Sequence, residues 1–283
     1  MKDTERRDFF RLGNKRQISL KVSTKTNMFL AVDIGNTHIV LGAYEGEELR
    51  QVWRLWSNPA RTEDEMRVTM RQLLEEANFP TDSSWGCAIS SVIPRLTHTL
   101  KAALSRLFER EPLVLTHELD LGIENRYCHP ENVGPDRLSN AVGGVARYGA
   151  PLVVLDFGTA TTFDVISADR AYLGGIIMPG LEMSADALFQ KTSLLPRIAV
   201  EAPGKVIGRS TQESIASGLI WGSVAAVDRL ADQVREEIGA PGCPVVATGG
   251  YASTIGALSK AIDRVDADLT LYGLLEIWKR NRR

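Results

Sequence analysis

Two copies of one pattern most constrain the fold of this chain. In each copy an apolar strand ends in Asp, a turn with Gly two residues later follows, and a second apolar strand returns. The copies are Val-Asp-Ile-Gly-Asn-Thr at 32–37 and Leu-Asp-Phe-Gly-Thr-Ala at 155–160, with aspartates 123 residues apart. That period is too long for a solenoid repeat. The pattern therefore predicts a duplicated domain, in which two lobes face each other across a nucleotide cleft.

Strands dominate the start of each half, and strands and helices then alternate, which predicts an α/β fold with mixed sheets flanked by helices. The predicted helices cover 64–78, 96–109, 213–238, 253–263 and 270–280, and the further predicted strands cover 49–55, 86–91, 112–115 and 244–247. We expect an N-terminal lobe over 28–145 and a C-terminal lobe over 146–283. The leader, 1–27, carries eight lysines or arginines against three acidic residues. It is interpreted as a disordered tail or as the product of a start codon placed too far upstream.

The first repeated turn has the residues of a phosphate-binding loop. Asp33 ends a strand at the sheet edge where open α/β folds bind ligands. Gly35 lets an anionic group approach the backbone, and Asn36 and Thr37 add side-chain donors. An aspartate would normally repel phosphates, so its presence beside them is explained mainly by a cation bound between the two. The alternative is that each Asp only completes its own turn, but a folding turn need not repeat both its Asp and its Gly.

A second candidate site lies at the predicted start of a helix. Gly134-Pro135 begins the helix, so Asp136 falls in its first turn with Arg137 beside it. Asp136 then acts either as a helix cap, a role that contributes about 0.5–2 kcal/mol, or as a general base, with Arg137 as the cation for an acidic ligand.

Several motifs, taken in order, resemble the type III pantothenate kinases. They are Asp33-Ile-Gly-Asn-Thr, Ile89-Ser-Ser-Val-Ile-Pro, Tyr127 with Val133-Gly-Pro-Asp-Arg, Asp156-Phe-Gly-Thr-Ala-Thr-Thr-Phe-Asp, Gly174-Gly-Ile-Ile-Met-Pro-Gly, Thr192-Ser-Leu-Leu-Pro and Thr248-Gly-Gly. The resemblance runs from Met28 nearly to the end of the chain. It implies the duplicated, ribonuclease H-like fold of the actin-like ATPase superfamily.

The resemblance also implies roles for individual residues. The ATP-binding residues would be Asp33, Ile34, Gly35, Asn36, Thr37, His38, Ile39, Val40 and Thr159. The pantothenate-binding residues would be Tyr127, Gly134, Pro135, Asp136, Arg137 and Thr192. Asp136 would be the proton acceptor, and Asp156 would hold a monovalent cation, K⁺ or NH₄⁺. This sequence departs from the family at Pro135 and Ser193, where Ala is usual, and neither change removes a functional group.

The activity implied by the resemblance is the transfer of phosphate from ATP, with Mg²⁺, to pantothenate. The product would be 4'-phosphopantothenate, and the reaction would open coenzyme A synthesis. One alternative is a non-catalytic or dual-role accessory regulatory protein of the same fold. Another keeps the fold but makes the chain a phosphatase or a kinase of a different small alcohol. The intact set Asp33, Asp136, Arg137 and Asp156 favours the kinase.

Composition limits the partners and the compartment. The formal net charge is −2, and without the leader it is −7, which gives no support to nucleic-acid binding. No apolar run reaches the roughly 20 residues that cross a bilayer. Three widely spaced cysteines favour a reducing compartment, so we expect a cytoplasmic protein. The helix predicted over 213–238 carries small residues that allow close packing, and we expect a homodimer. They are Ala216, Gly218, Gly222 and Ala225.

Overall fold

The computed structural model describes residues 28–82 and 84–282, which form two mixed sheets. The first sheet has the order β3-β2-β1-β4-β5, in which β2 is antiparallel to β1 and β3, whereas β4 is parallel to β1 and β5. Its strands are β1 (Met28–Ile34), β2 (His38–Glu45), β3 (Glu48–Trp56), β4 (Trp85–Ser91) and β5 (Leu113–Val114). The leader, 1–27, lies outside the described residues.

The second sheet repeats this arrangement. Its order is β11-β10-β7-β8-β9-β6, with β7 antiparallel to β8 and parallel to β10. Its strands are β6 (Glu124–Asn125), β7 (Leu152–Phe157), β8 (Ala160–Ile166), β9 (Ala171–Pro179), β10 (Val245–Gly249) and β11 (Arg264–Val265). The hairpins β1–β2 and β7–β8 are the two copies of the sequence pattern. The duplicated α/β fold is therefore confirmed.

Helices separate the two sheets and cover their outer faces. The α-helices are α1 (Glu63–Glu76), α2 (Pro94–Phe108), α3 (Pro135–Tyr148), α4 (Leu181–Lys191), α5 (Thr211–Glu237), α6 (Ala252–Gly256) and α7 (Leu269–Asn281). One buried apolar cluster joins α3 and α7 to strands of both sheets. A second packs α1 and α2 on the first sheet, and a third packs α5 and α6 on the second. This layering brings the two β-hairpins to one cleft.

The structure corrects one predicted helix. We expected a helix over 253–263, but α6 ends at Gly256. The chain turns there because the Asp228 carboxylate accepts hydrogen bonds from the Ser259 hydroxyl and from the amides of Lys260 and Ala261. These bonds satisfy the backbone outside a helix, and the chain continues into β11. The sequence patterns also did not predict β6, β9 or α4.

The predicted lobe boundary at 145 falls inside α3, and the chain crosses between lobes on both sides of it. Strand β6 precedes α3 but pairs with β9 of the second sheet. Helix α7 comes last in the chain and packs against β1 and β4 of the first sheet. None of the described helices combines the length and the apolar character that crossing a membrane requires.

Candidate active site

The two β-hairpin turns meet side by side in the cleft. The hydroxyls of Thr37 and Thr159 lie 3.1 Å apart, although 122 residues separate them in the chain. In each turn a glycine amide donates to a carbonyl further along the chain: Gly35 to His38, three residues on, at 2.9 Å, and Gly158 to Ala160, two residues on, at 3.1 Å. The duplicated pattern thus builds one composite site from both lobes.

The predicted phosphate loop divides into an open turn and two strands. Gly35, Asn36 and Thr37 lie between β1 and β2, whereas His38, Ile39 and Val40 already belong to β2. The side chains of Ile34 and Ile39 are fully buried in the core of the first lobe. These two residues can therefore meet a ligand only through backbone groups.

Asp33 is the next-to-last residue of β1, lies at the cleft and is partly buried. Its Oδ1 accepts a hydrogen bond of 2.8 Å from the hydroxyl of Ser90, at the end of the parallel strand β4. The pKa of Asp33 is raised to about 7, mainly by burial and then by the negative charges of Asp136 and Asp156, against the lowering effect of the Ser90 hydrogen bond. A cation between this carboxylate and a phosphate would offset the free-energy cost of keeping the buried carboxylate charged.

Asp156 occupies the equivalent position at the end of β7. Its Oδ2 accepts a hydrogen bond of 3.0 Å from Asn140 on α3. The pKa of Asp156 is raised to about 6, mainly by burial and also by the charge of Asp136, against the lowering effect of the Asn140 hydrogen bond. Gly249 at the end of β10 lies directly against this carboxylate, with φ of +92°, and a Cβ there would come within 2.5 Å of Oδ1. The Thr-Gly-Gly motif is thus explained by the close approach that Asp156 requires.

Asp136 lies in the first turn of α3, as predicted. Its Oδ1 accepts the backbone N–H of Arg137 at 2.9 Å, and a Cβ at the N-cap residue Gly134 would lie 2.4 Å from the same oxygen. Burial raises the pKa of this carboxyl above its usual range, although Arg137 opposes the shift. A carboxyl with a raised pKa that is partly open to a cleft suits a general base.

Arg137 points into the second lobe and is almost completely buried. Its Nε donates to Asp164 at 2.7 Å and its Nη2 donates to the carbonyl of Phe163 at 3.1 Å. The same Asp164 oxygen accepts the Tyr172 hydroxyl at 2.9 Å. Sequence reasoning assigned no role to Asp164. The available signal was an acidic residue between the apolar residues Phe163 and Val165 of strand β8, where a buried charge needs a partner.

The other predicted substrate residues lie in two places. Tyr127 packs beside Tyr172, with ring centroids 6.2 Å apart, and against the Gly174 position on β9, so it lies next to the Arg137 group. Pro135 is the first residue of α3. Thr192 is exposed after the end of α4, where its hydroxyl donates to Leu188 and accepts from the amide of Leu195.

The carboxylate oxygens at this site fit a cation that would also be coordinated by a bound ligand. Among the described residues, no three acidic, His or Cys side chains form a group that could hold a metal ion. Asp33 and Asp156 nevertheless present partly buried carboxylates whose described hydrogen-bond donors, Ser90 and Asn140, are neutral. Phosphate oxygens and water would have to complete the coordination of a cation there.

Fold and site together define a class. Two duplicated α/β lobes, with matched Asp-x-Gly turns meeting in a cleft, are the arrangement of the actin-like ATPases and the sugar kinases related to them. A Campylobacter jejuni protein described as a Baf family transcriptional activator shares the fold, with a TM-score of 0.56 at 19% identity over 89% of this chain and 98% of that one. A Sinorhizobium meliloti protein described as a 2-dehydro-3-deoxygalactonokinase has a TM-score of 0.53 at 15% identity over 90% and 97%. At these identities the likeness shows the fold alone.

Sequence relatives identify the family within this class. The family model for type III pantothenate kinase matches residues 29–233. The type III pantothenate kinase of Thermomicrobium roseum is 44% identical over 256 residues, which span 90% of this chain and 98% of that protein. That of an Anaeromyxobacter species is 45% identical over 90% and 100%. This chain belongs to the type III pantothenate kinase family.

Proposed function

We propose that this chain transfers the γ-phosphoryl group of ATP to the primary hydroxyl of pantothenate, the first step of coenzyme A synthesis, with Asp136 as the general base. The observation that carries the assignment is that Asp136, in the first turn of α3, lies close enough to the aspartates of both turns for its charge to raise the pKa of Asp33 in one lobe and of Asp156 in the other. A base in that place would act beside phosphates bound by these turns.

In this proposal the open turn binds the ATP phosphates. The amides and side chains of Gly35, Asn36 and Thr37 would contact them from the first lobe, and Thr159 from the second. His38, Ile39 and Val40 would contribute through their strand backbone. Phosphoryl transfer depends mainly on positioning and on neutralising charge. Mg²⁺ supplies part of that neutralisation when it is bound to the phosphates, and Asp33 would hold it through the phosphates or water.

Asp156 would hold the monovalent cation, K⁺ or NH₄⁺. Its carboxylate has a raised pKa and one neutral donor, Asn140, so a cation would stabilise the charged form. The expected result is that activity depends on K⁺ or NH₄⁺ and is low with Na⁺ alone. Equal activity in all three salts would contradict this assignment.

Pantothenate would bind beside the start of α3. Tyr127 and Pro135 would line its pocket, Gly134 leaves the room in which the Asp136 carboxylate lies, and Arg137 would meet the substrate carboxylate. Asp136 would take the proton of the attacking hydroxyl. Thr192 is the remaining proposed contact, and it lies in an exposed segment.

A homodimer is proposed from the exposed apolar surface of the second lobe. Ile177, Leu194 and Ile207 are 64%, 91% and 82% exposed. On α5, a Cβ at Gly218 or Gly222 would meet no atom within 4 Å, so that part of the helix is open to close packing. Association would bury this surface. Light scattering at micromolar concentration should give twice the chain mass, and a monomeric mass would contradict the dimer.

The free cysteines Cys87, Cys128 and Cys243 support a cytoplasmic location.

The deciding experiment measures ADP release with and without pantothenate in the presence of ATP, Mg²⁺ and K⁺. The wild type should turn over only with pantothenate, and Asp136→Asn should lose at least about a hundredfold in kcat while still binding ATP. Asp64→Asn is the matched control, because Asp64 also lies in the first turn of a helix, α1, but outside the site. No pantothenate-dependent turnover in the wild type would overturn the assignment and favour the regulatory alternative. Near wild-type turnover in Asp136→Asn would remove Asp136 as the base.

A further inference from the structure

Asp164 is a completely buried carboxylate to which the activity has not yet assigned a role. It lies on β8 with none of its surface exposed, while the Arg137 side chain beside it is 10% exposed. One of its oxygens, Oδ1, accepts from both Arg137 Nε at 2.7 Å and the Tyr172 hydroxyl at 2.9 Å. Two donors on one oxygen, one of them charged, hold a side chain far more firmly than a surface ion pair does.

These contacts leave one end of the guanidinium available. Nε donates to Asp164 and Nη2 donates to the Phe163 carbonyl, whereas Nη1 has no hydrogen-bond partner among the described residues. Gly175 on β9 allows this packing, since a Cβ there would lie 2.8 Å from Nη2 and would overlap the Phe163 carbonyl. The sheet thus fixes two nitrogens of Arg137 and leaves the third for a ligand.

A competing anion lies immediately before Arg137 in the chain. Asp136 is the adjacent residue, and its charge already favours the protonated guanidinium. An arginine that paired with Asp136 would occupy the general base and leave the substrate carboxylate without its cation. Asp164 provides the guanidinium with another anionic partner, in a buried ion pair at 2.7 Å.

We propose that Asp164 is the positioning residue that holds Arg137 away from Asp136 and directs its free Nη1 at the carboxylate of pantothenate. Asp164 thereby sets the preference of the site for an acidic substrate. This inference rests on the proposed function, in which Arg137 meets the substrate carboxylate. Asp164 itself touches no reacting atom.

The test compares pantothenate with its neutral primary amide as substrates. Asp164→Asn keeps the shape of the side chain and an acceptor oxygen but removes the charge that holds the guanidinium. We expect the KM for pantothenate to rise at least tenfold, the KM for ATP to stay within twofold, and the preference in kcat/KM for pantothenate over the amide to fall at least tenfold. A purely structural role would change both substrates alike and leave that preference intact.

Asp266→Asn is the matched control. Asp266 is also buried, and it pairs at 2.6 Å with Arg147 of the same helix, α3, outside the site. The control should lower the melting temperature without changing the preference for the carboxylate. A preference in Asp164→Asn that equals the wild-type value would overturn the proposal.

A milder variant covers the case in which Asp164→Asn does not fold. Tyr172→Phe removes one hydrogen bond to Asp164 and leaves the ion pair in place, so the preference should fall about two- to threefold. An unchanged preference in Tyr172→Phe would then overturn the proposal. Loss of the proposed function gives a different result, since the wild type itself would show no turnover, or no preference for the carboxylate.

Discussion

Four aspartates at or behind the cleft differ in the hydrogen-bond donors that their neighbours supply. Asp33 and Asp156 have only neutral hydrogen-bond donors, Asp136 has a backbone amide, and Asp164 has an arginine. Burial is the largest cause of the raised pKa in all four. Without a ligand, the protein therefore carries an electrostatic cost at this site, which cations and substrate would offset.

The pKa of Asp33 predicts how stability depends on pH. Since this pKa is raised to about 7, the native state keeps a proton that the unfolded chain releases near pH 4. The native state binds more protons in that window, so the stability of the ligand-free protein falls as pH rises from about 4 to 7. At pH 8, Asp33→Asn should be more stable than the wild type by about 1–2 kcal/mol, and the difference should vanish near pH 4.

Urea unfolding at the two pH values measures this difference. Asp82→Asn is the control, because hydrogen bonds from Ser84 lower the pKa of the exposed Asp82, and its loss should bring no gain at pH 8. If Asp33→Asn were no more stable than the wild type at pH 8, the raised pKa would be refuted. The same variant should bind ATP-Mg²⁺ more weakly.

A substitution at Gly134 tests whether activity depends on the position of the Asp136 carboxylate. A Cβ at this position would lie 2.4 Å from Asp136 Oδ1, so Gly134→Ala must displace that carboxylate. We expect kcat to fall at least tenfold with a smaller change in the KM for ATP, because misplacement of a catalytic group is costly. Steady-state kinetics measures both constants. Gly242→Ala, at an exposed and open position of the turn before β10, is the control and should leave kcat unchanged.

At the scale of elements, α3 organises the site. Its first turn presents Asp136 and Arg137, and one turn later Asn140 reaches Asp156. The side-chain oxygen of Asn140, Oδ1, accepts a hydrogen bond of 2.7 Å from the hydroxyl of Thr270 on α7. One helix thus sets the base, the arginine and the proposed cation ligand relative to one another, which explains why its polar residues are buried between the sheets.

Asn140→Ala should show whether Asn140 supports cation binding or contributes to packing alone. It removes the only described side-chain donor to Asp156, so we expect more K⁺ to be needed for half-maximal activity, together with a loss of about 1–3 kcal/mol of stability. Ser139→Ala is the matched control, since Ser139 is equally buried and also bonds to Thr270, at 2.7 Å. That control should lose stability without a change in K⁺ dependence. Equal K⁺ curves for the two variants would contradict the role of Asn140.

At the scale of the whole molecule, α7 joins the end of the chain to the first lobe. Trp278 packs on Phe29 of β1, with ring centroids 4.9 Å apart, and its ring fills the space where Gly86 of β4 has no Cβ. Helices α3 and α7 therefore make the two lobes parts of one core, and stability should be shared between them.

Trp278→Ala measures that coupling. Removing a buried indole should cost about 3–5 kcal/mol, and the loss should appear in a single transition by fluorescence and circular dichroism together. Trp56→Ala is the control, because Trp56 is 65% exposed and its removal should change stability by no more than about 0.5 kcal/mol. Separate transitions for the two lobes would contradict a shared core.

Local pattern alone predicted much of this architecture. The two Asp-x-Gly turns, the helix at Asp136 and the long helix α5 all follow from short-range rules of apolar period and helix start, which need no partner to be recognised. The failure at 253–263 has the opposite origin, since Asp228, some thirty residues away, ends α6 by accepting the bonds of the following loop.

By itself the sequence determined that two like lobes would form, that their turns would carry Asp33 and Asp156, and that Asp136 and Arg137 would begin a helix. Only the tertiary structure decided which groups meet: Thr37 with Thr159, Asn140 with Asp156, and Arg137 with Asp164. The reason is physical. Periodicity and helix starts depend on neighbours along the chain, whereas the partner of a buried charge is chosen by packing between elements far apart in sequence.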